Sequence, residues 1–177
     1  MVYLRELTES DIPIINKWRQ DQELVGMLGS PFRYVNLETD EKWFQAYMNN
    51  RNSQVRCCIC SKESSSVLGV VYLLNIDQII RSAEFAIMIG SKQDQNKGVG
   101  TKATQLMLSH GFNDLNLNRV YLTVLENNLA AIRVYEKCGF TQEGRLRQAT
   151  YKNGSYCDLL VMSILRKEFI DRSGERK

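Results

Sequence analysis

The apolar and polar residues at the start of the chain follow a pattern that predicts a strand and then a helix. Residues 3–7, YLREL, alternate apolar with polar positions, as a half-buried strand does. Apolar residues then recur at helical spacing from Ile12 to Trp18, and either Thr8 or Ser10 is expected to cap this helix. The fold therefore opens with a β-strand followed by an α-helix.

A second helix and three strands are predicted in the next part of the chain. Residues 26–36 form a predicted loop, and Thr39 is expected to cap the helix that follows. The apolar residues of this helix are Trp43, Phe44 and Tyr47. The segments VRCCIC and SVLGVVYLLNI are expected to pair as an antiparallel hairpin across the polar turn KESSS, and AEFAIMIG is the third strand.

Helices and strands alternate in the second half. The polar bend SKQDQNKGVG leads into a helix predicted over residues 99–114, and RVYLTVL is the next strand. The helix after it is expected to have Asn127 as its cap and to end at Gly139. Two further strands, at 146–151 and 156–165, flank the turn KNGS, whose Asn-Gly pair is a strong hairpin signal. Seven strands and four helices in this order predict an α/β fold of mixed α+β type.

Length and composition fit a single globular domain. The chain has 177 residues, of which 44% are hydrophobic and 24% charged, as in ordinary globular proteins. We expect one domain over residues 1–170 and a frayed tail over 171–177. No apolar run approaches the roughly 18 residues that cross a bilayer. Because the N-terminus MVYLREL carries charges where an export signal is apolar, we expect a cytoplasmic protein without membrane association.

The cysteines and the net charge argue against three other classes of protein. The chain has an odd number of cysteines at irregular spacing: Cys57, Cys58, Cys60, Cys138 and Cys157. Reduced thiols are therefore expected rather than a disulfide framework. In the cluster CCIC, strand alternation places Cys58 and Cys60 on one face and Cys57 on the other, which favours strand packing over a metal site. The formal net charge of +3 is small and the basic residues are interleaved with acids, so no nucleic-acid partner is expected.

One bend carries a candidate binding site for a diphosphate. It comprises residues 95–101, QNKGVGT, at the predicted start of a helix, where backbone amides without partners attract anions. Gly98 and Gly100 would let a phosphate approach this backbone closely, and Lys97 or Thr101 would add side-chain donors. A plain tight turn is the alternative. The spacing fits neither a P-loop nor a dinucleotide fingerprint, whose third glycine is missing.

The bend and the segments after it resemble the GNAT superfamily of N-acetyltransferases. QNKGVG matches the signature Q/R-x-x-G-x-G/A, and AEFAIMIG is similar to the strand that carries it. The resemblance continues through LNRVYLTVLENNLAAIRVYEKCGF and EGRLRQATYKNGSYCDLLVMSIL, over about residues 67–167. It is strongest with the branch of ribosomal-protein N-terminal, spermidine and nucleotide-amino-sugar acetyltransferases. It implies a central, twisted, mostly antiparallel sheet of about seven strands, split at the cofactor cleft and flanked by about four helices.

The resemblance implies an enzyme that passes acetyl from acetyl-CoA directly to a primary amine, without a metal. Tyr135 matches the tyrosine that faces the donor sulfur in this family, which makes it the expected general acid; core packing is the alternative. Glu84 lies where several relatives carry a proton-accepting glutamate, although a charge pair with Arg81 or Arg119 is equally open. Glu126 or water could act as the base instead.

The same resemblance implies which residues bind the acetyl-CoA donor. The backbone of Ile87, Met88 and Ile89 would pair with the pantetheine arm as an added strand would. Asn128 would bind the donor from the following helix, with a role at the start of that helix as the alternative. The full expected set is Ile87, Met88, Ile89, Gln95, Asn96, Lys97, Gly98, Val99, Gly100, Thr101, Asn128 and Tyr135.

Charge is the guide to the acceptor amine. Residues 29–34, GSPFRY, lack the acidic cluster that a polycation would need, so a protein N-terminus or an amino sugar is favoured over a polyamine. Five other acids keep a polyamine open: Asp21, Glu23, Glu38, Asp40 and Glu41. The resemblance also allows a homodimer. The alternative to an enzyme is a non-catalytic acyl-CoA-binding or nucleotide-binding regulatory module.

Overall fold

A seven-stranded sheet forms the middle of the fold in the computed structural model, which describes residues 1–174. Its strands are β1 (Val2–Glu6), β2 (Val55–Ser61), β3 (Val67–Asp77), β4 (Ser82–Ile89), β5 (Arg119–Leu125), β6 (Thr141–Lys152) and β7 (Ser155–Leu165). They lie in the order β1-β2-β3-β4-β5-β7-β6, and every neighbouring pair is antiparallel except β4 and β5. The predicted sheet of about seven mostly antiparallel strands is confirmed.

Helices cover both faces of this sheet. They are α1 (Ile12–Arg19), α2 (Gln22–Gly26), α3 (Leu37–Met48), α4 (Val99–Ser109), α5 (Leu129–Cys138) and α6 (Arg166–Ser173). Over residues 1–174 this makes six α-helices where about four were expected. The apolar pattern did not predict the two additional helices, because α2 has only 5 residues and α6, RKEFIDRS, is mostly polar.

The C-terminal end differs from the expected frayed tail over 171–177. Helix α6 continues to Ser173, past the predicted domain end at residue 170. Phe169 anchors the helix by packing on Phe112, with the ring centroids 5.0 Å apart. The last part of the predicted tail, residues 175–177, lies outside the described residues. Across residues 1–174, no helix combines the length and the apolar character needed to cross a membrane.

The start of α1 differs from the predicted cap at Thr8 or Ser10. A 3-10 turn, Glu9–Asp11, follows Thr8, and the N-cap of α1 is Asp11.

Two further helix caps lie at other residues than predicted. Helix α3 is capped by Asn36 instead of Thr39, and the Asn36 Oδ1 accepts a hydrogen bond from the Thr39 amide at 2.9 Å. Helix α5 is capped by Asn128 instead of Asn127, and the Asn128 Oδ1 accepts from the Ala131 amide at 3.2 Å. In both helices the capping oxygen must reach an amide three residues further on, which selects the asparagine at that distance.

Two other elements have different lengths from those predicted. The helix predicted over 99–114 is α-helical to Ser109 and then makes one π-helical turn, His110–Asp114. Strand β6 begins at Thr141, five residues before the predicted start at Leu146. Because β6 is an edge strand whose first nine residues are almost all exposed, its sequence shows no alternation of apolar and polar positions.

Each face of the sheet carries its own hydrophobic core. One core packs α1, α2 and α3 against the strands and includes Trp18 and Phe44, while the other packs α4, α5 and α6 and includes Phe112. As predicted from alternation, Cys58 and Cys60 lie in the first core and Cys57 packs against the second. All five cysteines are free thiols. The two cores fix the sheet between two helical layers.

Gly90 marks a close approach between the end of β4 and helix α1. A Cβ atom at this position would lie 1.9 Å from the Trp18 ring. The buried indole therefore packs directly on the backbone, which only glycine permits here. This contact holds the first helix against the strand that leads into the bend at residues 95–101.

Candidate functional site

The sheet opens between its only two parallel strands. β4 and β5 pair at three positions, Ser82 with Arg119, Ala83 with Val120 and Glu84 with Tyr121. Beyond them β4 stays paired with β3 as far as Ile89, and β5 stays paired with β7 as far as Leu125. Within the described chain, no strand joins the facing edges of β4 and β5 past Glu84 and Tyr121. We call this gap the split, and Ile87, Met88 and Ile89 line its β4 side.

Helix α4 begins beside the split with its first amides uncapped. Its N-cap is Gly98, which has left-handed backbone (φ 79°) and no side chain to offer the helix. By contrast, side chains of Asp21, Asn36 and Asn128 cap α2, α3 and α5. The amides of Val99, Gly100 and Thr101 are therefore available to an external acceptor, and the helix dipole favours an anion there.

The glycines of the bend leave space around these amides. A Cβ atom at Gly98 or at Gly100 would meet no other atom within 4 Å. The positive φ at position 98 favours glycine. At position 100, neither the backbone conformation nor a neighbouring atom requires glycine. Gln95, Asn96 and Lys97 are exposed beside the helix start, as the predicted donor site requires.

Tyr135 of α5 lies beneath the split, in an aromatic cluster. Its ring packs edge-to-face on Phe85 at 6.1 Å and against Phe140 at 5.7 Å, and Phe85 is the first β4 residue past the paired segment. Burial, with a smaller effect of Cys138, raises the pKa of Tyr135 to about 12. Tyr135 as a whole residue is only 8% exposed, so its ring packs in the core as the alternative expected.

The Tyr135 hydroxyl behaves differently from its ring. It donates to no described residue, yet no fully buried side-chain nitrogen or oxygen among residues 1–174 lacks a partner. Unless it meets a residue beyond 174, the hydroxyl oxygen therefore keeps at least a small contact with solvent, although Tyr135 is largely buried. Among residues 1–174, this phenol is therefore a protonated donor without an acceptor.

Helix α5 also contacts the start of α4. The Cys138 thiol donates to the Thr101 carbonyl in the first turn of α4, at 3.7 Å. Cys138 lies three residues after Tyr135 and so shares its helix face. The uncapped amides of α4 and the Tyr135 hydroxyl thus belong to neighbouring helices on the same face of the sheet.

Glu84 lies on the other face. It alternates with Ala83 and Phe85, which both belong to the core beneath α4 and α5, and it shares the face of Met88 beneath α1 and α3. Among the described residues only Asn75 bonds to its carboxylate, with Nδ2 donating to Oε2 at 3.0 Å. No basic side chain of residues 1–174 therefore pairs with the Glu84 carboxylate.

The alternative pairing of Glu84 with an arginine is wrong. Arg119 binds Glu143, with Nη1 donating to Oε1 at 2.6 Å, and Arg81 donates to Asn116. Burial and the nearby Glu84 carboxylate raise the pKa of Tyr121, which agrees with the pairing of these two residues at the closed end of the split.

Two other predicted site residues are engaged within the protein. Glu126 forms an ion pair with Arg145, whose Nη2 lies 3.0 Å from Oε2. Asn128 uses both ends of its side chain, because Oδ1 caps α5 and Nδ2 donates to the Met27 carbonyl at 3.0 Å. The alternative role of Asn128 at the helix start is confirmed, and its contact with the donor stays a prediction.

Asn75 is a site residue that the sequence did not reveal. It has left-handed backbone (φ 51°) next to a register shift in β3, a conformation that asparagine tolerates better than most residues. A polar residue inside the apolar run YLLNI was its only signal. Its hydrogen bond holds the Glu84 side chain at the end of the split.

Comparison with known proteins decides the family. Residues 2–141 match the acetyltransferase (GNAT) domain family. The chain belongs to this family. It is an N-acetyltransferase that uses acetyl-CoA as its donor, and the predicted fold and branch are confirmed.

Individual relatives of this GNAT enzyme include spermidine acetyltransferases and a proposed ribosomal acetyltransferase. It is 30% identical over 171 residues to the spermidine N(1)-acetyltransferase of Vibrio cholerae serotype O1, covering 96% of each chain. A proposed ribosomal N-acetyltransferase of Bacillus subtilis is 36% identical over 104 residues, which cover 59% of this chain and 56% of the relative. The solved structure of Vibrio cholerae spermidine N-acetyltransferase in complex with CoA and spermine matches with a TM-score of 0.89 at 28% identity. That match covers 96% of this chain and 98% of the other.

Replacing Gly100 by valine tests whether the start of α4 holds the donor diphosphate. The GNAT enzyme should keep its stability, because the Cβ enters open space, but should bind CoA at least about tenfold more weakly, the loss of about one hydrogen bond. Isothermal titration with CoA measures this. Gly144→Val, another glycine in open space, is the matched control and should bind as the parent does. Equal CoA affinity in all three proteins would contradict the site.

Proposed function

We propose that this enzyme acetylates a primary amine of a polyamine, by direct transfer from acetyl-CoA. The observation that carries the mechanism is the split, which has the Tyr135 hydroxyl on one face and the Glu84 carboxylate on the other. The substrate class is supported by the relatives that match along nearly the whole chain and act on spermidine. The earlier preference for a protein N-terminus or an amino sugar finds no support in those full-length matches.

The donor would bind from the face of α4 and α5. In this proposal the amides of Val99, Gly100 and Thr101 hold its diphosphate, and the exposed Gln95, Asn96 and Lys97 add polar contacts at the edge. The unpaired backbone of residues 87–89 accepts the pantetheine amides as an added strand. The acetyl end then lies in the split, next to Tyr135.

In this proposal the protons move to Glu84 on one face of the split and from Tyr135 on the other. An ammonium drawn to Glu84 gives up one proton there, directly or through water, and the neutral nitrogen attacks the thioester carbonyl. As the carbon–sulfur bond breaks, the Tyr135 hydroxyl gives its proton to the sulfur. The second proton of the nitrogen returns to Tyr135 through solvent, so the products are the N-acetyl amine, the CoA thiol and one proton. Glu126 is less suited to act as the base, because Arg145 already neutralises it.

The charges near the acceptor face refine the proposal. Four of the five acids that kept a polyamine open are engaged: Asp21 caps α2, Glu23 pairs with Lys92, Glu38 with Lys42 and Asp40 with Arg19. Within residues 1–174, only the Glu41 carboxylate of this group has neither a hydrogen bond nor an ion pair. We therefore expect recognition of one ammonium at Glu84 to dominate over binding of several positive charges.

A panel of amines tests the substrate class. Release of free thiol from acetyl-CoA is followed with spermidine, spermine, peptides with free N-termini and nucleotide-linked amino sugars. We expect kcat/KM for spermidine and spermine to exceed that for the peptides and sugars, because the relatives that match nearly the whole chain act on spermidine. A peptide or sugar that reacts faster than both polyamines would overturn the substrate class.

Replacing Tyr135 by phenylalanine tests the general acid. The ring would still pack on Phe85 and Phe140, so CoA affinity should stay within about twofold, while kcat should fall by roughly 10²–10⁴. Steady-state kinetics and a CoA titration separate the two effects. Tyr3→Phe, in edge strand β1 away from the split, is the control.

The pH profile gives a second reading of Tyr135. Because its pKa is raised to about 12, the phenol stays protonated well above neutral pH, and wild-type kcat should not fall between about pH 8 and 10. A full-rate Tyr135→Phe enzyme would remove Tyr135 from the mechanism.

A further inference from the structure

One segment of the chain is held to the opposite half of the sheet by hydrogen bonds that its backbone carbonyls accept. It comprises residues 25–30, which we call the strap. Lys152 of β6 donates from Nζ to the Val25 carbonyl at 2.9 Å and to the Ser30 carbonyl. Thr150 Oγ1 donates to the Gly29 carbonyl at 2.9 Å, and Asn128 Nδ2 donates to the Met27 carbonyl at 3.0 Å. Three side chains far away in sequence thus hold four of its six carbonyls.

The strap crosses the split on the face that bears Glu84. At its beginning, Leu24 of α2 packs in the core with α1 and α3, and Glu23 pairs with Lys92, which follows β4. Its anchors Lys152, Thr150 and Asn128 belong to β6 and to the residue before α5, beyond the split. The strap therefore runs from the β4 side to the β5 side.

Buried leucines show what the strap covers. Leu125 of β5 and Leu159 of β7 pair directly across the sheet and are 3% and 9% exposed, although neither belongs to the two hydrophobic cores. The backbone at Gly29 approaches Leu159, since a Cβ there would lie 3.9 Å from Cδ2. The strap thus closes over the end of β5 at the open side of the split.

Lys152 is the unusual anchor. Its side chain is only 8% exposed, and its ammonium meets two carbonyls and no carboxylate among residues 1–174. Burying a lysine is costly unless its donors are satisfied, and burial lowers its pKa. Without these two hydrogen bonds, burial of the Lys152 ammonium would be unfavourable. The buried lysine and the strap therefore stabilise each other.

We propose that Lys152 is a positioning residue for the acetyl acceptor, acting through the strap. It touches neither the donor site nor Glu84, but it sets where the strap lies over the open side of the split. This assignment rests on the proposed function, because the amine enters from that face. Loss of Lys152 would loosen the wall of the acceptor site and leave the donor site on the other face intact.

Three variants test the proposal. Lys152→Met keeps the apolar length and removes the donors, Lys152→Arg keeps donors, and Lys62→Met changes an exposed lysine in the β2–β3 turn as the control. For Lys152→Met we expect KM for the amine to rise at least about tenfold, with kcat within about threefold and CoA affinity unchanged. Lys152→Arg should recover most of the lost affinity, and Lys62→Met should match the parent.

Hydrogen exchange on the free protein separates this proposal from the substrate assignment. Peptides covering residues 25–30 should exchange faster in Lys152→Met than in the parent or in Lys62→Met, whichever amine the enzyme acetylates. If Lys152→Met does not fold, Thr150→Val, which loses one strap bond, should show the same changes in smaller size. Unchanged exchange of the strap, or an unchanged KM in a folded variant, would overturn the role of Lys152. Equal losses of CoA and amine affinity would also overturn it.

Discussion

The short parallel pairing of β4 and β5 is the constraint on which the rest of the structure depends. Three residue pairs hold the two strands together, and each strand is then kept straight by an antiparallel neighbour on its outer side. Because both outer partners continue, the strands can separate without losing their place in the sheet. An edge of backbone at residues 87–89 is left unpaired in the interior, where proteins normally satisfy every such group. In the proposed donor site, the amide groups of the pantetheine arm would satisfy that edge.

The two helical layers give the split two different sides. On one side, Phe85, Tyr135 and Phe140 pack beneath it, and Cys138 ties α5 to the uncapped start of α4. On the other side lie Glu84 and the strap. The donor and the acceptor amine can therefore approach from opposite faces and meet in the gap. This separation is why loss of Tyr135 or of Lys152 should affect different kinetic constants.

The sequence predicted features whose causes are local. The bend at residues 95–101 and the turn KNGS depend on glycine and asparagine in left-handed backbone, and Gly98, Asn153 and Gly154 all adopt it. The catalytic roles of Tyr135 and Glu84 were predicted from a family resemblance, and both residues lie at the split in the structure. The cap at Asn36 was missed in favour of Thr39, and Asn128 was expected at the start of α5 only as an alternative beside Asn127. Contacts between residues far apart in sequence could not be predicted. A lysine beside a hairpin turn is expected to be exposed, and only the fold shows that Lys152 is buried and donates to the carbonyls of residues 25 and 30.

Amide hydrogen exchange with and without saturating CoA tests the account most directly. Binding at the split should slow exchange at least about tenfold in peptides covering residues 86–90 and 98–102. Each segment contains amides, on the open edge of β4 and at residues 99–101, that would gain acceptors when the donor is bound. Peptides covering β1, at the far edge of the sheet, should exchange at the same rate in both states. CoA binding that protects neither of the two segments would contradict the central claim that the unpaired β4 edge and the start of α4 hold the donor together.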